Sequence, residues 1–147
     1  VISVPFQSAH YGALTIPIKI YLASKVDLDN NYVFDANINF MIGKKYGRMK
    51  YYYLPNDTEG RCYEKSWSFN FVLGAGKLDL DSTNTSESIN GKHTIVSMST
   101  GFAVGVHYKK AGLFLITGID TPMGIAAEKW NFAQCPWIGF GLGLGIE

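Results

Sequence analysis

Few side chains in this sequence have the types and spacing that catalysis or metal binding requires. The three histidines, His10, His93 and His107, share no metal-ligand spacing and form no HExxH-type motif. His107 shares a predicted strand face with Ser97 and Ser99, but along a strand these serines lie about 27–33 Å from it. They cannot act as a nucleophile and its base, so the sequence predicts a protein that is not an enzyme and has neither metal nor cofactor.

The two cysteines, Cys62 and Cys135, are too far apart in sequence for a CxxC metal or redox motif. Both fall in predicted long loops at one end of the molecule. One interpretation is a disulfide between them, formed in an oxidising compartment. The other interpretation is two unrelated thiols.

The composition limits the class of protein. The chain has 147 residues, a formal net charge of +1, 47% hydrophobic residues and only 17% charged residues, whereas soluble domains carry about 25%. These values exclude disorder, a coiled coil and a charged nucleic-acid binder. The length suits a single domain over residues 1–147. No apolar stretch reaches the ~18 residues of a membrane helix.

Apolar residues alternate with small or polar ones, with a period of two, over five segments, and none of comparable length has helical spacing. This pattern predicts an all-β chain. Glycine-containing segments at 43–47, 74–76 and 108–112 are typical of tight hairpin turns. Residues 1–11 are then an N-terminal extension. The predicted strands are 12–23, 31–43, 47–54, 65–74, 77–83, 92–107, 111–121 and 136–146.

Long and tight connections alternate along these eight strands. An antiparallel up-and-down meander with that order has its tight turns at one end and its loops, 24–30, 55–64, 84–91 and 122–135, at the other. Transmembrane barrels show the same asymmetry. The sequence thus predicts an eight-stranded β-barrel that spans a membrane, with a soluble β-barrel or sandwich as the alternative.

The two faces of the strands differ in chemistry. One face is aromatic and aliphatic, and the other carries Gly, Ser, Asn and Ala, as in the alternating glycines of WIGFGLGLGI at 137–146. Small residues suit the crowded interior of a barrel. We expect an opposite-charge pair between Lys19 and Asp35 across a hairpin. The predicted interior polar network is Lys19, Asp35, Asn37, Asn39 and Asn70. The predicted lipid-facing residues are Ile16, Ile18, Ile38, Phe40, Phe69, Phe71, Val104, Phe140, Leu142 and Leu144.

Cations gather at the predicted tight-turn end, in the segments 44–50 and 109–110. They are candidates for contact with anionic headgroups, peptidoglycan or a periplasmic partner. Solvated turns are the alternative interpretation.

The segments YKKAGLFLITGID at 108–120 and PWIGFGLGLGI at 136–146, with Trp130 between them, resemble the small eight-stranded outer-membrane β-barrel proteins of Gram-negative bacteria. By pattern the resemblance covers residues 12–146. It implies an outer-membrane location, a signal peptide already removed, and insertion helped by a C-terminal strand signal. Such signals usually end in an aromatic residue, whereas this chain ends in Ile146-Glu147.

Three functions follow as hypotheses, and one of them, a membrane-embedded lipid-modifying enzyme, lacks a recognisable catalytic pair. In the first, the chain is a structural or interaction protein, or an accessory subunit of an outer-membrane complex. Its interior is filled by side chains, and its partners are membrane lipid and other outer-membrane proteins rather than nucleic acid. In the second, it is a soluble lectin-like or calycin-like fold that holds a sugar or small apolar ligand with Trp130 and Trp137.

Overall fold

A computed structural model of the chain describes residues 1–23, 32–34, 37–53, 61–80, 85, 91, 93–124 and 127–146. Nearly all of them lie in β-strands, which confirms the all-β prediction. One 3-10 turn, Ala127–Lys129, precedes the last strand. The strands are β1 (Ile2–Tyr21), β2 (Tyr32–Phe34), β3 (Asn37–Tyr52), β4 (Arg61–Leu80), β5 (His93–Tyr108), β6 (Ala111–Met123) and β7 (Pro136–Ile146).

The seven strands form one antiparallel sheet that closes on itself. The order is β2-β1-β3-β4-β5-β6-β7, and β1 also pairs with β7 over Tyr11–Tyr21. β2 and β3 lie along the same side of β1, since β2 aligns with Ile18–Ile20 and β3 with Ile2–Leu14. The closed ring therefore has six positions around its circumference, one shared by β2 and β3.

The prediction of eight strands is wrong at three places. Residues 1–11 belong almost entirely to β1, the segment 43–47 lies inside β3, and 74–76 lies inside β4. The glycines there serve close packing rather than turns. A Cβ on Gly47 would lie 2.6 Å from the Phe6 ring, and one on Gly74 would overlap the side chain of Asn39. Only the predicted turn at 108–112 is present, between β5 and β6.

The connections consequently do not alternate as predicted. The ends of β3 and β4 that flank residues 53–60 lie at the same end of the ring as the β5–β6 turn. The connections that follow β1, β4 and β6 leave from the opposite end, and the β2–β3 connection joins two strands that share one position of the ring. Residues 61–64 of the predicted loop 55–64 belong instead to β4 and lie at the tight-turn end, whereas residues 55–60 lie outside the described part of the chain.

The strands are strongly inclined to the ring axis. From Asp120 of β6, the ladder runs through Ser99, Gly74, Asn39, Leu14 and Gly143 and returns to β6 at Gly112. One circuit of the ring therefore returns to β6 eight residues away from the starting residue (120 − 112). With about 3.3 Å per residue and about 4.8 Å between strands, eight residues over six positions correspond to a tilt of about 40°.

A β-bulge in β1 explains one departure from simple alternation. Thr15 and Ile18 of β1 oppose Leu142 and Phe140 of β7, so β1 holds one residue more than its partner. Pro17 lies in this segment, where the absent N–H removes no regular ladder bond. A one-residue shift exchanges the two faces of a strand. Leu14 and Ile16 therefore point inward before the bulge, and Lys19 and Tyr21 point inward after it.

β1, β3 and β4 extend past the ring at the tight-turn end. β7 ends opposite Tyr11 and β5 ends opposite Ser66. Beyond those positions, the segments Ile2–Ala9, Lys44–Tyr52 and Arg61–Lys65 form a three-stranded projection.

No helix among the described residues is long and apolar enough to cross a membrane.

Candidate functional site

The outer face of the ring is apolar and exposed. On β4 the outward side chains from Trp67 to Ala75 are aromatic or aliphatic, and Lys77 is the first charged one. On β7 every outward residue from Ile138 to Ile146 is apolar. At a tilt of about 40°, the ten residues from Trp67 to Lys77 (77 − 67) rise about 25 Å along the ring axis. We call this surface the apolar band.

The structure places nine of the ten predicted lipid-facing residues on this outer surface. These nine residues are between 36% and 70% exposed: Ile18, Ile38, Phe40, Phe69, Phe71, Val104, Phe140, Leu142 and Leu144. The prediction is wrong for Ile16, which is fully buried inside the ring. The reason is the bulge, which places Ile16 and Ile18 on opposite faces although they are two residues apart.

The interior contains a buried ion pair whose carboxylate accepts four hydrogen bonds. Lys19 Nζ lies 2.7 Å from Asp120 Oδ2 and donates to Ser99 Oγ at 2.9 Å. Asp120 also accepts from the Tyr21 hydroxyl at 2.6 Å, from Ser99 Oγ at 2.6 Å and from Trp137 Nε1 at 3.0 Å. The ammonium group lies 4.7 Å from the centre of the Trp137 ring. We call these five residues the lysine cluster.

The register of β1 and β2 differs from the one that places Lys19 directly opposite Asp35. Lys19 is buried as expected, but its cross-strand neighbour in β2 is Val33 and its counter-ion is Asp120 of β6, two strands away around the ring. Asp35 lies outside the described residues. The separation of 101 positions between Lys19 and Asp120 explains why a hairpin argument could not find this pair. The only sequence signal was a lone carboxylate in the otherwise apolar segment 113–120.

The other predicted network residues, Asn37, Asn39 and Asn70, are all buried. The side-chain amide of Asn37 binds the backbone of the bulge. Its Oδ1 accepts from the Ile16 N–H at 2.9 Å, and its Nδ2 donates to the Ile16 carbonyl at 2.8 Å. Asn39 Nδ2 donates to Asn37 Oδ1 at 2.6 Å. Side-chain amides thus replace the ladder bonds that the bulge removes.

Asn70 belongs to a second cluster, near the tight-turn end of the ring. Its Oδ1 lies 2.8 Å from His10 Nδ1, and its Nδ2 donates to Ser68 Oγ at 2.7 Å. Ser68 Oγ lies 2.7 Å from His107 Nε2, and the two imidazole rings are 4.6 Å apart. We call these four residues the histidine cluster.

Sequence reasoning tested His107 against Ser97 and Ser99 and missed Ser68, which the β4–β5 pairing brings beside it. A serine and a histidine at this distance are the elements of a nucleophilic pair. Ser68 is fully buried, and His10 and Phe114 pack on His107. This contact therefore satisfies buried polar groups of the interior.

At the edge of the ring, Lys45 extends this polar interior toward the projection. Lys45 Nζ lies 2.7 Å from Glu64 Oε1, which also accepts from Ser66 Oγ at 2.8 Å. Lys45 is almost completely buried, whereas the Glu64 side chain is about a quarter exposed. This pair neutralises a buried cation where the ring opens.

The opposite end of the ring is closed by aromatic packing. Tyr21 stacks on Phe132 with ring centroids 4.5 Å apart and meets Trp130 edge-on at 5.7 Å. Trp130 and Trp137 are 1% and 0% exposed. Both rings are therefore inside the protein, whereas the soluble lectin-like alternative uses them, together with loop tyrosines, to hold a ligand.

The disulfide between Cys62 and Cys135 is absent, and both thiols are free. Cys62 lies near the start of β4. Cys135 follows Gln134, whose N–H donates to the Asp120 carbonyl. Asp120 pairs with Ser99 of β5, and Ser99 pairs with Gly74 of β4, so Cys135 lies at the level of Gly74. Twelve residues of β4 (74 − 62) correspond to about 40 Å, far beyond the Cα separation that a disulfide allows.

The interior has little space beyond these side chains. Phe114 and Ile116 of β6 point inward and are buried, although the sequence around them looked apolar on both faces. A Cβ on Gly141 would lie 2.7 Å from Ile116 and 2.8 Å from Leu14, and one on Gly143 would lie 2.7 Å from Phe114. The glycines of β7 thus make room for large residues from the two neighbouring strands, β1 and β6, as expected for a crowded interior.

Among the described His, Cys, Asp and Glu residues, no group of three or more is placed to hold a metal ion. Comparisons with protein-family models, with curated proteins and with solved structures find no match to this chain.

Proposed function

We propose that this chain is a transmembrane β-barrel of a bacterial outer membrane. Its role is structural, or it is an interacting accessory subunit of an outer-membrane complex. The observation that carries the proposal is an arrangement opposite to that of a soluble protein. The apolar band faces outward, and the polar and charged side chains of the lysine and histidine clusters lie inside. Monomeric soluble proteins rarely expose a continuous apolar surface of this extent.

The dimensions of the band support a membrane environment. Its height of about 25 Å equals the apolar band of outer-membrane barrels, and the tilt of about 40° lies in their range. Aromatic residues lie at the tight-turn edge of the band, where Tyr46 stacks on Trp67 at 4.9 Å and Tyr108 is exposed. Trp and Tyr prefer this depth because one end of each side chain is apolar and the other is wet.

The interior favours a filled barrel over a conducting pore. Six strand positions make the ring narrower than the eight-stranded barrels whose interiors hold only side chains. The lysine cluster crosses it from β1 to β6, and the Tyr21, Trp130 and Phe132 rings close one end. Function then resides on the outer surface and in the exposed ends, where lipid and neighbouring membrane proteins make contact.

Extraction and gel mobility test the proposal. The protein should need detergent for extraction from cells and should migrate differently on a gel with and without boiling. A chain that dissolves without detergent and shows no heat-dependent mobility would contradict the membrane assignment.

A matched pair of substitutions on β4 tests the same proposal at residue level. Phe71 and Tyr63 are both exposed outward aromatics, but Phe71 lies near the middle of the band and Tyr63 lies beyond its edge. In a bilayer, Phe71→Lys should cost about 2–4 kcal/mol and Tyr63→Lys about 0–1 kcal/mol. In water, both exposed sites should accept lysine equally, and that result would overturn the proposal.

A further inference from the structure

The outward face of the three-stranded projection combines cations and aromatic rings directly beyond the apolar band. After the stacked pair Tyr46 and Trp67, the next outward pairs are Arg48 with Lys65, Lys50 with Tyr63, and Tyr52 with Arg61. Tyr52 and Tyr63 meet edge-on at 5.6 Å. We call this surface, from Tyr46–Trp67 to Tyr52–Arg61, the basic face.

The basic face is concave. It lines a cleft of about 1090 Å³ whose remaining wall comes from the start of β1, including Pro5 and Phe6. A cleft of this size accommodates a phosphate-bearing headgroup together with the beginning of an acyl chain. Trp67 belongs to both surfaces, so the cleft is continuous with the apolar band.

Three cations of this face are not neutralised by the described part of the protein. Arg48, Lys50 and Lys65 are exposed and make no ion pair with any described carboxylate. Glu64 points to the other side of the sheet, where Lys45 holds it. Asp57 and Glu59 lie outside the described residues. The cleft therefore presents at least three exposed positive charges next to an apolar surface.

From this arrangement we infer that the basic face binds the phosphate headgroup of an anionic phospholipid, with the acyl chains lying along the apolar band. The inference rests on the proposed function, since it requires the band to be in a bilayer. Arginine and lysine stems can lie along apolar surface while their charged heads reach the headgroup layer. A lipid is favoured over a nucleic acid because the net charge of the whole chain is only +1 and because the cleft opens onto an apolar surface.

Quenching of Trp67 fluorescence by brominated lipids tests the inference. Trp67 is half exposed, whereas Trp130 and Trp137 are buried, so the Trp67→Phe variant should lose the lipid-dependent signal. The protein is inserted into phosphatidylcholine vesicles that contain equal fractions of either brominated phosphatidylcholine or brominated phosphatidylglycerol. We expect stronger quenching by the brominated phosphatidylglycerol, with a preference that salt reduces.

The variant Arg48→Gln/Lys50→Gln/Lys65→Gln should abolish this preference, because each cation near an anionic surface contributes about a fivefold preference. The control Lys77→Gln/Lys129→Gln removes positive charge at the opposite end of the ring, away from the cleft, and should retain the preference. Retention of the preference by the first variant, or equal quenching by both lipids in the unmodified protein, overturns the inference. Displacement of the brominated phosphatidylglycerol by soluble glycerol phosphate also overturns it, because the ligand would then be a free phosphate compound.

The phosphatidylcholine arm separates this inference from the proposed function. If brominated phosphatidylcholine fails to quench Trp67 at all, the chain does not insert and the membrane proposal fails. If it quenches as strongly as brominated phosphatidylglycerol, the chain inserts and only the lipid-binding inference fails. Heat-dependent gel mobility of each variant shows that the substitutions leave the fold intact.

Discussion

The lysine cluster makes the substitution Asp120→Asn a sensitive test of the interior. Each carboxylate oxygen of Asp120 accepts two hydrogen bonds. Oδ2 accepts from Lys19 and Tyr21, and Oδ1 accepts from Ser99 and Trp137. An asparagine has the same shape, but one of its ends is an NH₂ group that must face two donors. It also leaves the Lys19 ammonium buried without a counter-ion.

The expected magnitude follows from the burial of the pair. The side chains of Lys19 and Asp120 are 1% and 2% exposed, and removing one partner of a buried pair costs about 3–5 kcal/mol. The double variant Lys19→Met/Asp120→Asn removes the stranded ammonium, so it should be less destabilised than Asp120→Asn alone. The exposed Asp79, which accepts from Thr94, provides a control, since Asp79→Asn should change stability by about 0.5 kcal/mol or less.

Urea unfolding of the protein folded in detergent micelles measures these differences, with the fluorescence of the buried tryptophans and the gel mobility as two readouts. The unmodified protein, Lys19→Met, Asp120→Asn and the double variant form a double-mutant cycle. A cost below about 1 kcal/mol for Asp120→Asn would refute the buried, charge-paired cluster. Strict additivity of the two single substitutions would refute the direct contact between Lys19 and Asp120.

Three further outcomes follow from the packing. Gly141→Val should destabilise the protein by about 1–3 kcal/mol through overpacking against Leu14 and Ile116, and urea unfolding measures it; a neutral effect would mean that the interior has free space. Cys62 is exposed and Cys135 is partly buried, so a maleimide should label Cys62 faster in the folded protein. If neither thiol reacts until a reductant is added, the two cysteines form the disulfide that the structure excludes. Asn37→Ala should cost about 2 kcal/mol because it leaves the buried Ile16 N–H and carbonyl without partners; a cost near zero would show that the bulge is held in another way.

The sequence alone determined the all-β class, the burial of Lys19, Asn37, Asn39 and Asn70, and the outward position of nine apolar residues. These properties are local: a strand turns successive side chains to opposite faces, so the types of neighbouring residues reveal which face is apolar. The glycines of β7 were likewise interpreted correctly as small residues of a crowded interior.

Only the tertiary structure decided the number of strands, the facing of Ile16, the partner of Lys19 and the separation of the two cysteines. Gly47 and Gly74 looked like turn residues because the sequence does not show Phe6 and Asn39 packing against them from the neighbouring strand. The bulge at Pro17 reverses the faces of β1 through a single extra residue. The ion pair between Lys19 and Asp120 depends on how the sheet closes, which is set by the register of the whole ring and not by the local pattern of any one strand.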